Sequence, residues 1–325
     1  MRDSNWQKVL ASGFGSSSEL LSFLNIPVNL AGVIAEQQFK TRVPRGFVGR
    51  MQPGDPRDPL LLQVLAQEIE LQESPGFVTD PLEELLVNPI PGLIHKYPGR
   101  VLLTLTGTCA IHCRYCFRRH FPYQDNNPGL KGWHAALEYI ANDISLREVI
   151  FSGGDPLLAN DRLLGSVLER IEAISHVKTV RFHTRIPIVL PERIDQSFLH
   201  LMQQCKLQKV MVLHSNHAQE LDMSVQFACR ALADVGFVML NQSVLLQGIN
   251  AQAQILADLS ERLFTCGVLP YYLHLVDKVQ GASHFDVSHA HALTIFQELQ
   301  ALLPGYLVPR LAREHAGKKH KTLYV

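Results

Sequence analysis

From about residue 100 onward the chain alternates, six times over, a short β-branched or apolar run with a longer amphipathic one. The runs "RVLLTLTG", "EVIFSGGD", "TVRFHTR", "KVMVLHSNH", "FVMLNQSVL" and "YYLHLVD" have the make-up of strands. The intervening "KGWHAALEYIAND", "RLLGSVLERIEAI", "RIDQSFLHLMQQC", "QFACRALADVG", "AQILADLSERLFTCG" and "HALTIFQELQALL" repeat apolar residues at helical spacing. Such alternation allows few folds, because parallel strands need long crossovers and helices are the usual ones. A seventh apolar run, "YLVPRLA", follows the last helix. The strands end in Thr108 and Cys109, Gly153 to Asp155, His183 to Arg185, His214 to His217, Asn241 to Ser243, and His274 with Asp277. A doubly wound sheet gathers its ligand at one switch point, whereas a TIM-type barrel uses the carboxyl ends of many strands. Chemistry on all six strands favours an α/β barrel or an open partial barrel.

The first hundred residues read differently. "SSSELLSFLN" has the serines and early glutamate of a capped short helix, and "DPLLLQVLAQEIELQ" is a second helical candidate with proline near its start. Proline-marked connectors such as "RVPRGF", "QPGDPRDP" and "NPIPGLIHKYPGR" separate and follow them. The expected organisation is a helical, loop-rich region over 1–95, a barrel over 96–312 and a C-terminal segment over 313–325. Thirty basic residues balance thirty acidic ones, which gives no electrostatic footprint for nucleic acid. "MRDSNWQKVL" lacks the apolar core of a leader, and "LLSFLNIPVNLAGVIA" is broken by polar residues and too short to span a bilayer. With six cysteines, three of them clustered, no disulfide framework is implied, and the expected compartment is the cytoplasm.

The cluster is "GTCAIHCRYCFRRHFPY", with Cys109, Cys113 and Cys116 inside eight residues. Three thiolates converging from one loop suit an iron–sulfur cluster with one iron left open. A structural zinc completed by His112 or His120, or simply packed thiols, are the competing readings of the spacing. Cys205, Cys229 and Cys266 have apolar neighbours on helices and read as buried small hydrophobes.

The spacing C-x3-C-x2-C with Tyr115 before the last cysteine resembles the signature of the radical S-adenosylmethionine (SAM) superfamily, and "FSGGDPL" is similar to its glycine-rich SAM motif. The resemblance implies an open (β/α)6 partial barrel, a [4Fe-4S] cluster on the three cysteines, and SAM on the fourth iron. From about residue 40 on, "HKYPGRVLLTLTGTC", "CFRRHFPY", "SGGDPL", "RIPIVLPERI", "NQSVLLQGIN", "PYYLHLVDKVQGASHF" and "GYLVPRLAREHAGKKHKT" resemble the lysine 2,3-aminomutase family. Within it the compact chain is most similar to the bacterial branch that supplies β-lysine for modifying elongation factor P.

That likeness implies pyridoxal 5′-phosphate (PLP) as a further cofactor, because an amino group cannot migrate in a radical unaided. It puts the Schiff-base lysine at Lys321, with Lys318 and Lys319 as near rivals: "GKKH" stands where related enzymes carry a glycine run. Lys96, Tyr97 and Arg100 match positions that hold the PLP phosphate. Tyr115, Ser152, Gly153, Gly154, Asp155, His214 and Gln242 match SAM positions, although a single histidine at a strand end is more often structural. His183 and Arg185 are candidates for lining the same cavity. Arg118 matches the site of the substrate carboxylate, where a planar guanidinium can pair in bidentate fashion. Asp277 and Glu314 match the two acids that meet the distal ammonium, glutamate replacing the more common aspartate at the second.

The implied activity is the 2,3-amino shift that isomerises L-lysine to β-lysine, fed by an external one-electron reductant and followed by an elongation factor P ligase. The same machinery acting on another amino acid such as glutamate, or a non-catalytic iron–sulfur protein, is the alternative. The sequence ends four residues after Lys321, before the zinc-binding extension of the larger enzymes, so no zinc site is expected. Whether the chain forms an oligomer is left open.

Overall fold

The computed structural model describes the backbone of residues 6–126 and 129–324 and the side chains of 6–126 and 133–324. The first five residues of the opening stretch considered for a leader lie outside them. Nine strands form one sheet in chain order. They are β1 (Leu93–Tyr97), β2 (Arg100–Thr106), β3 (Glu148–Gly153), β4 (Thr179–Thr184), β5 (Gln208–His214), β6 (Phe237–Leu245), β7 (Leu269–Leu275), β8 (Arg310–Arg313) and β9 (Thr322–Leu323). Strands β2 to β8 run parallel, while β1 and β9 pair antiparallel at the two edges, which do not pair with each other. The result is an open partial barrel, and its six central strands β2 to β7 are the six read from the alternation.

The crossover helices follow from their patterning. In Asp161–Glu172, Leu164, Val167, Leu168 and Ile171 recur at steps of three and four and are buried, and the Asn160 side chain accepts from the Leu163 N–H as N-cap. In the core beneath, Phe151, Phe182 and Phe237 from β3, β4 and β6 meet edge to face at 5.0 and 5.8 Å. Cys205, Cys229 and Cys266 are buried as read. The expected N-terminal helix forms at Ser17–Phe23, with Ser16 Oγ accepting from the Glu19 N–H.

Three expectations need correction. The "HKYPGR" connector is a hairpin: Tyr97 pairs with Arg100 across Pro98–Gly99, and Gly99 takes φ +77° as the second corner of such a turn requires. Of the seventh run only Arg310 to Ala312 enters the sheet, as part of β8, and the two-residue β9 was not foreseen. "DPLLLQVLAQEIELQ" is not an α-helix; it is a string of turns ending in a 3-10 helix at Glu68–Leu71. Its carbonyls are taken by distant partners, Gln63 O by the Arg114 N–H and Ala66 O by the Gly32 N–H, so an i to i−4 ladder cannot run through it. Leu60, Leu61, Val64 and Leu65 would share one helical face, but Gln63 and Ala66, which would fall on the opposite side, are fully buried as well. Among the described residues no helix is long and apolar enough to cross a membrane.

Candidate active site

Cys109, Cys113 and Cys116 lie on the loop leaving β2, each partly exposed. The glycine turn ending β3 clamps the base of that loop, with the Gly154 N–H on Thr106 O and the Asp155 N–H on Thr108 O, both at 2.8 Å. A Cβ on Gly154 would collide with the Thr108 backbone, and one on Gly153, at φ +114°, would stand 2.6 Å from Thr104 Cγ2. The glycines are thus needed for the close approach of two backbones. Asp155 is buried and turned toward β4, accepting from Thr184 Oγ1 at 2.6 Å and the Arg185 N–H at 2.8 Å. Burial raises its carboxyl to about 6 against those bonds.

Around the loop runs a buried polar network. Arg185 Nη1 donates to Cys113 Sγ at 2.8 Å and to the Tyr115 hydroxyl at 2.9 Å, and its Nη2 pairs with Glu220 at 3.0 Å and with Gln63 Oε1. The Tyr115 hydroxyl also meets His214 Nε2 at 2.8 Å and accepts from Asn216 Nδ2 at 2.6 Å. Burial, then the charge of Arg185, lowers His214 to about 3, so the ring is neutral. His214 faces the half-buried Gln242 across the β5–β6 register. Burial, then mutual repulsion, raises the thiols: Cys109 well above its ordinary value and Cys116 to about 11. Among the described residues no three His, Cys, Asp or Glu side chains are grouped to chelate a single metal ion.

A second cluster fills the mouth between the sheet's two edges. Glu314, just past β8, meets Lys96 of β1 at 2.7 Å through Oε1 and Lys321 through Oε2. Lys96 also lies 2.9 Å from Glu84 Oε1, and Glu84 grips Arg118 through Nε and Nη2 at 2.6 and 2.8 Å. Arg118 Nη1 reaches Ser152 Oγ at 3.1 Å. Lysine, glutamate, lysine, glutamate and arginine therefore alternate in an unbroken row from Lys321 to Arg118. Although burial opposes it, Lys321 and Lys96 hold the Glu314 carboxyl far below the usual range. Asp277, at the end of β7, is raised to about 7 by burial and by Glu314, against the pull of Lys321 and Lys96. His274 is lowered to about 3 by burial and by Lys321. Arg100 lies over the Tyr97 ring, 4.8 Å from its centroid. Lys318 and Lys319 are exposed at the tip of the β8–β9 hairpin, whereas Lys321 turns inward.

The predicted residues thus fall into two neighbouring groups, cysteines with Tyr115 and His214 in one, Lys321, Lys96, Arg118, Asp277 and Glu314 in the other. Ser152 links to the second through Arg118. Asn216 fell within the strand-end stretch His214 to His217 without being singled out, and sequence reasoning missed Glu84, Gln63 and Glu220. None sits in a recognisable motif, and Glu84 lies in "LEELLV", which reads as an ordinary helix face. The residues fit the implied groups. Buried polar atoms without a partner, Arg185 Nε beside the cysteine loop and His183 Nε2 beside the lysines, are what a site built for polar guests leaves behind.

A cysteine-cluster loop opening at the carboxyl ends of a partial parallel barrel is the arrangement of the radical SAM class. Residues 97–220 match the family described as "4Fe-4S single cluster domain". An L-lysine 2,3-aminomutase of Haemophilus influenzae is 48% identical over 324 residues, 99% of this chain and 96% of the relative. The Escherichia coli L-lysine 2,3-aminomutase is 50% identical over 98% of this chain and 94% of its own length. That of Clostridium subterminale is 35% identical over 85% of this chain and 66% of the longer relative. The chain belongs to the L-lysine 2,3-aminomutase family.

Proposed function

We propose that this protein isomerises L-lysine to β-lysine by a radical 2,3-shift of the amino group, using a [4Fe-4S] cluster, SAM and PLP. The observation that carries the reading is Lys321 on Glu314, within electrostatic reach of Asp277: Glu314 already receives the ammonium of a lysine side chain, with a second acid nearby. Two acids at this place disfavour glutamate as substrate.

When bound, the cluster and SAM supply hydrogen-atom abstraction and PLP supplies the π system that carries the migrating nitrogen. Cys109, Cys113 and Cys116 would hold the cluster, leaving one iron for SAM, with the glycine turn Gly153–Gly154 fixing the loop and Tyr115, Ser152, Asp155, His214 and Gln242 shaping the SAM side. Lys321 would attach PLP, and Lys96, Tyr97 and Arg100 would face its phosphate. With Lys321 committed to PLP, Glu314 would be available through Oε2 for the substrate's distal ammonium, with Asp277 as second acid. Arg118 would take the α-carboxylate on the side of its fork toward Ser152. Burial keeps His183, His214 and His274 neutral, so none of the three adds positive charge near the substrate's distal ammonium, and Lys96 is the cation that shares Glu314 with it.

Residues 1–95 would cover the barrel of 96–312, and 313–325 would form the lysine-bearing segment. A one-electron reductant, a cytoplasmic setting and delivery of β-lysine to an elongation factor P ligase complete the proposal. The test is anaerobic reconstitution with iron, sulfide, PLP, SAM, reductant and L-lysine, read by chiral chromatography with mass detection. β-Lysine should form and be lost in Cys113→Ala; SAM cleavage without β-lysine would refute the substrate, and no SAM cleavage by the cluster-loaded protein would refute the chemistry.

A further inference from the structure

Glu84 is held in an unusual way. In the 3-10 turn Glu84–Val87 the acid is buried while its neighbours Leu85 and Leu86 are 49% and 80% exposed. Burying a carboxylate while leaving two leucines in water reverses the ordinary preference and is costly unless the carboxylate is paired. The residue before it, Glu83, takes φ +50°, a left-handed conformation that non-glycine residues seldom adopt. The Asp80 carboxylate accepts from the Glu84 N–H at 3.1 Å. The local chain is thus bent and braced to send this one side chain inward.

Both oxygens of Glu84 are committed. Oε2 accepts from Arg118 Nε at 2.6 Å, and Oε1 accepts from Arg118 Nη2 at 2.8 Å and faces Lys96 Nζ at 2.9 Å. Although burial opposes ionisation, Arg118 and Lys96 keep the carboxyl below its ordinary range, so it is an anion. A guanidinium gripped along its Nε–Nη2 edge cannot rotate about its stem, and the Nη1 side is left as the face it can offer a ligand.

We infer that Glu84 is a positioning residue of the substrate site: it locks Arg118 so that the Nη1 side meets the α-carboxylate, and it anchors Lys96 from the same carboxylate. The inference rests on the proposed role of Arg118 and adds a residue outside every motif of the chain. Glu84 touches no substrate itself; it selects for an amino acid over an amine by fixing the group that recognises the carboxylate.

The test is equilibrium binding to the PLP-loaded protein, without SAM or reductant, read from the PLP absorbance. L-Lysine is compared with 1,5-diaminopentane, which has both nitrogens and no carboxylate. Glu84→Gln should weaken L-lysine by about tenfold or more beyond any loss for the diamine, the scale of a lost charge-assisted bond, because both ligands share whatever is lost through Lys96. Equal losses for both ligands, as a merely structural residue would give, overturn the inference, and so does no loss for either. Arg118→Lys is measured in parallel: if it leaves the lysine-to-diamine ratio intact, the reading of Arg118 falls and the inference with it. If Arg118→Lys collapses the ratio and Glu84→Gln does not, the inference alone fails. Should Glu84→Gln not fold, Glu84→Asp, which keeps the charge, takes its place with a smaller loss of the same kind expected and the same outcomes overturning it.

Discussion

Lys96 Nζ lies 2.7 Å from Glu314 Oε1, although the residues are 218 positions apart and stand at opposite edges of the open sheet. The pair bridges the gap that the strands leave unclosed. Their side chains are only 15% and 14% exposed, so solvent screens the attraction weakly. Lys96→Met should therefore destabilise the protein by about 3 kcal/mol, the low end for removing one partner of a buried pair, because Lys321 still compensates Glu314. The urea midpoint reports it; an unchanged midpoint would mean that the bridge adds no stability.

Lys321→Ala should abolish the visible absorbance of the lysine–PLP imine. Lys318→Ala and Lys319→Ala should keep it, since both side chains point into solvent at the hairpin tip. Retention in Lys321→Ala and loss in either neighbour would move the PLP lysine.

The two acids of the mouth respond to pH with opposite signs. Asp277 has a folded value of about 7, above the unfolded value of about 3.9. Between these values the native state binds more protons than the unfolded one, so this group lowers stability as pH rises from about 4 to 7, with no further change above. Glu314 is held below its unfolded value; its contribution is present above about pH 4.3 and is lost as pH falls further. For the protein without PLP, Asp277→Asn should flatten the urea-midpoint profile between pH 4 and 7 relative to wild type. A variant profile parallel to wild type would show that Asp277 does not titrate in that window.

Gly154→Ala tests the clamp between the β3 turn and the cysteine loop. The new methyl would meet the Thr108 backbone, and overpacking of this kind costs about 1–3 kcal/mol or displaces the weaker partner. The loop is the weaker partner, so bound iron after reconstitution should fall well below wild type. Full iron content would show that the clamp is dispensable.

What was legible in the sequence divides along physical lines. The six central strands could be read because each β-rich run is followed by an amphipathic helix, the crossover that parallel pairing requires. Strand β9 is two residues long and exists only because β8 offers it an edge, so no local signal marks it. The 59–72 segment carries apolar residues at helical density, but tertiary partners claim its carbonyls, and a sequence does not display its distant partners. At the site, cysteines, glycines and Lys321 announce themselves by spacing and resemblance. Glu84 does not, because its meaning lies in where Arg118 and Lys96 happen to be. Gln63 and Glu220 were hidden for the same reason.

The β8–β9 hairpin sets the position of Lys321 from its base. Ala312 pairs with Leu323 and Arg313 with Thr322, and the Tyr324 N–H reaches back to Leu311 O. The tip between them, including Gly317 to Lys319, is exposed and sets none of these registers. Drift at the tip is therefore uncoupled from the lysine, so "GKKH" can replace a glycine run without changing where the lysine nitrogen sits. For anyone recasting this scaffold, the tip is a handle: a label or tether could be attached there, a few residues from the site, without retuning it.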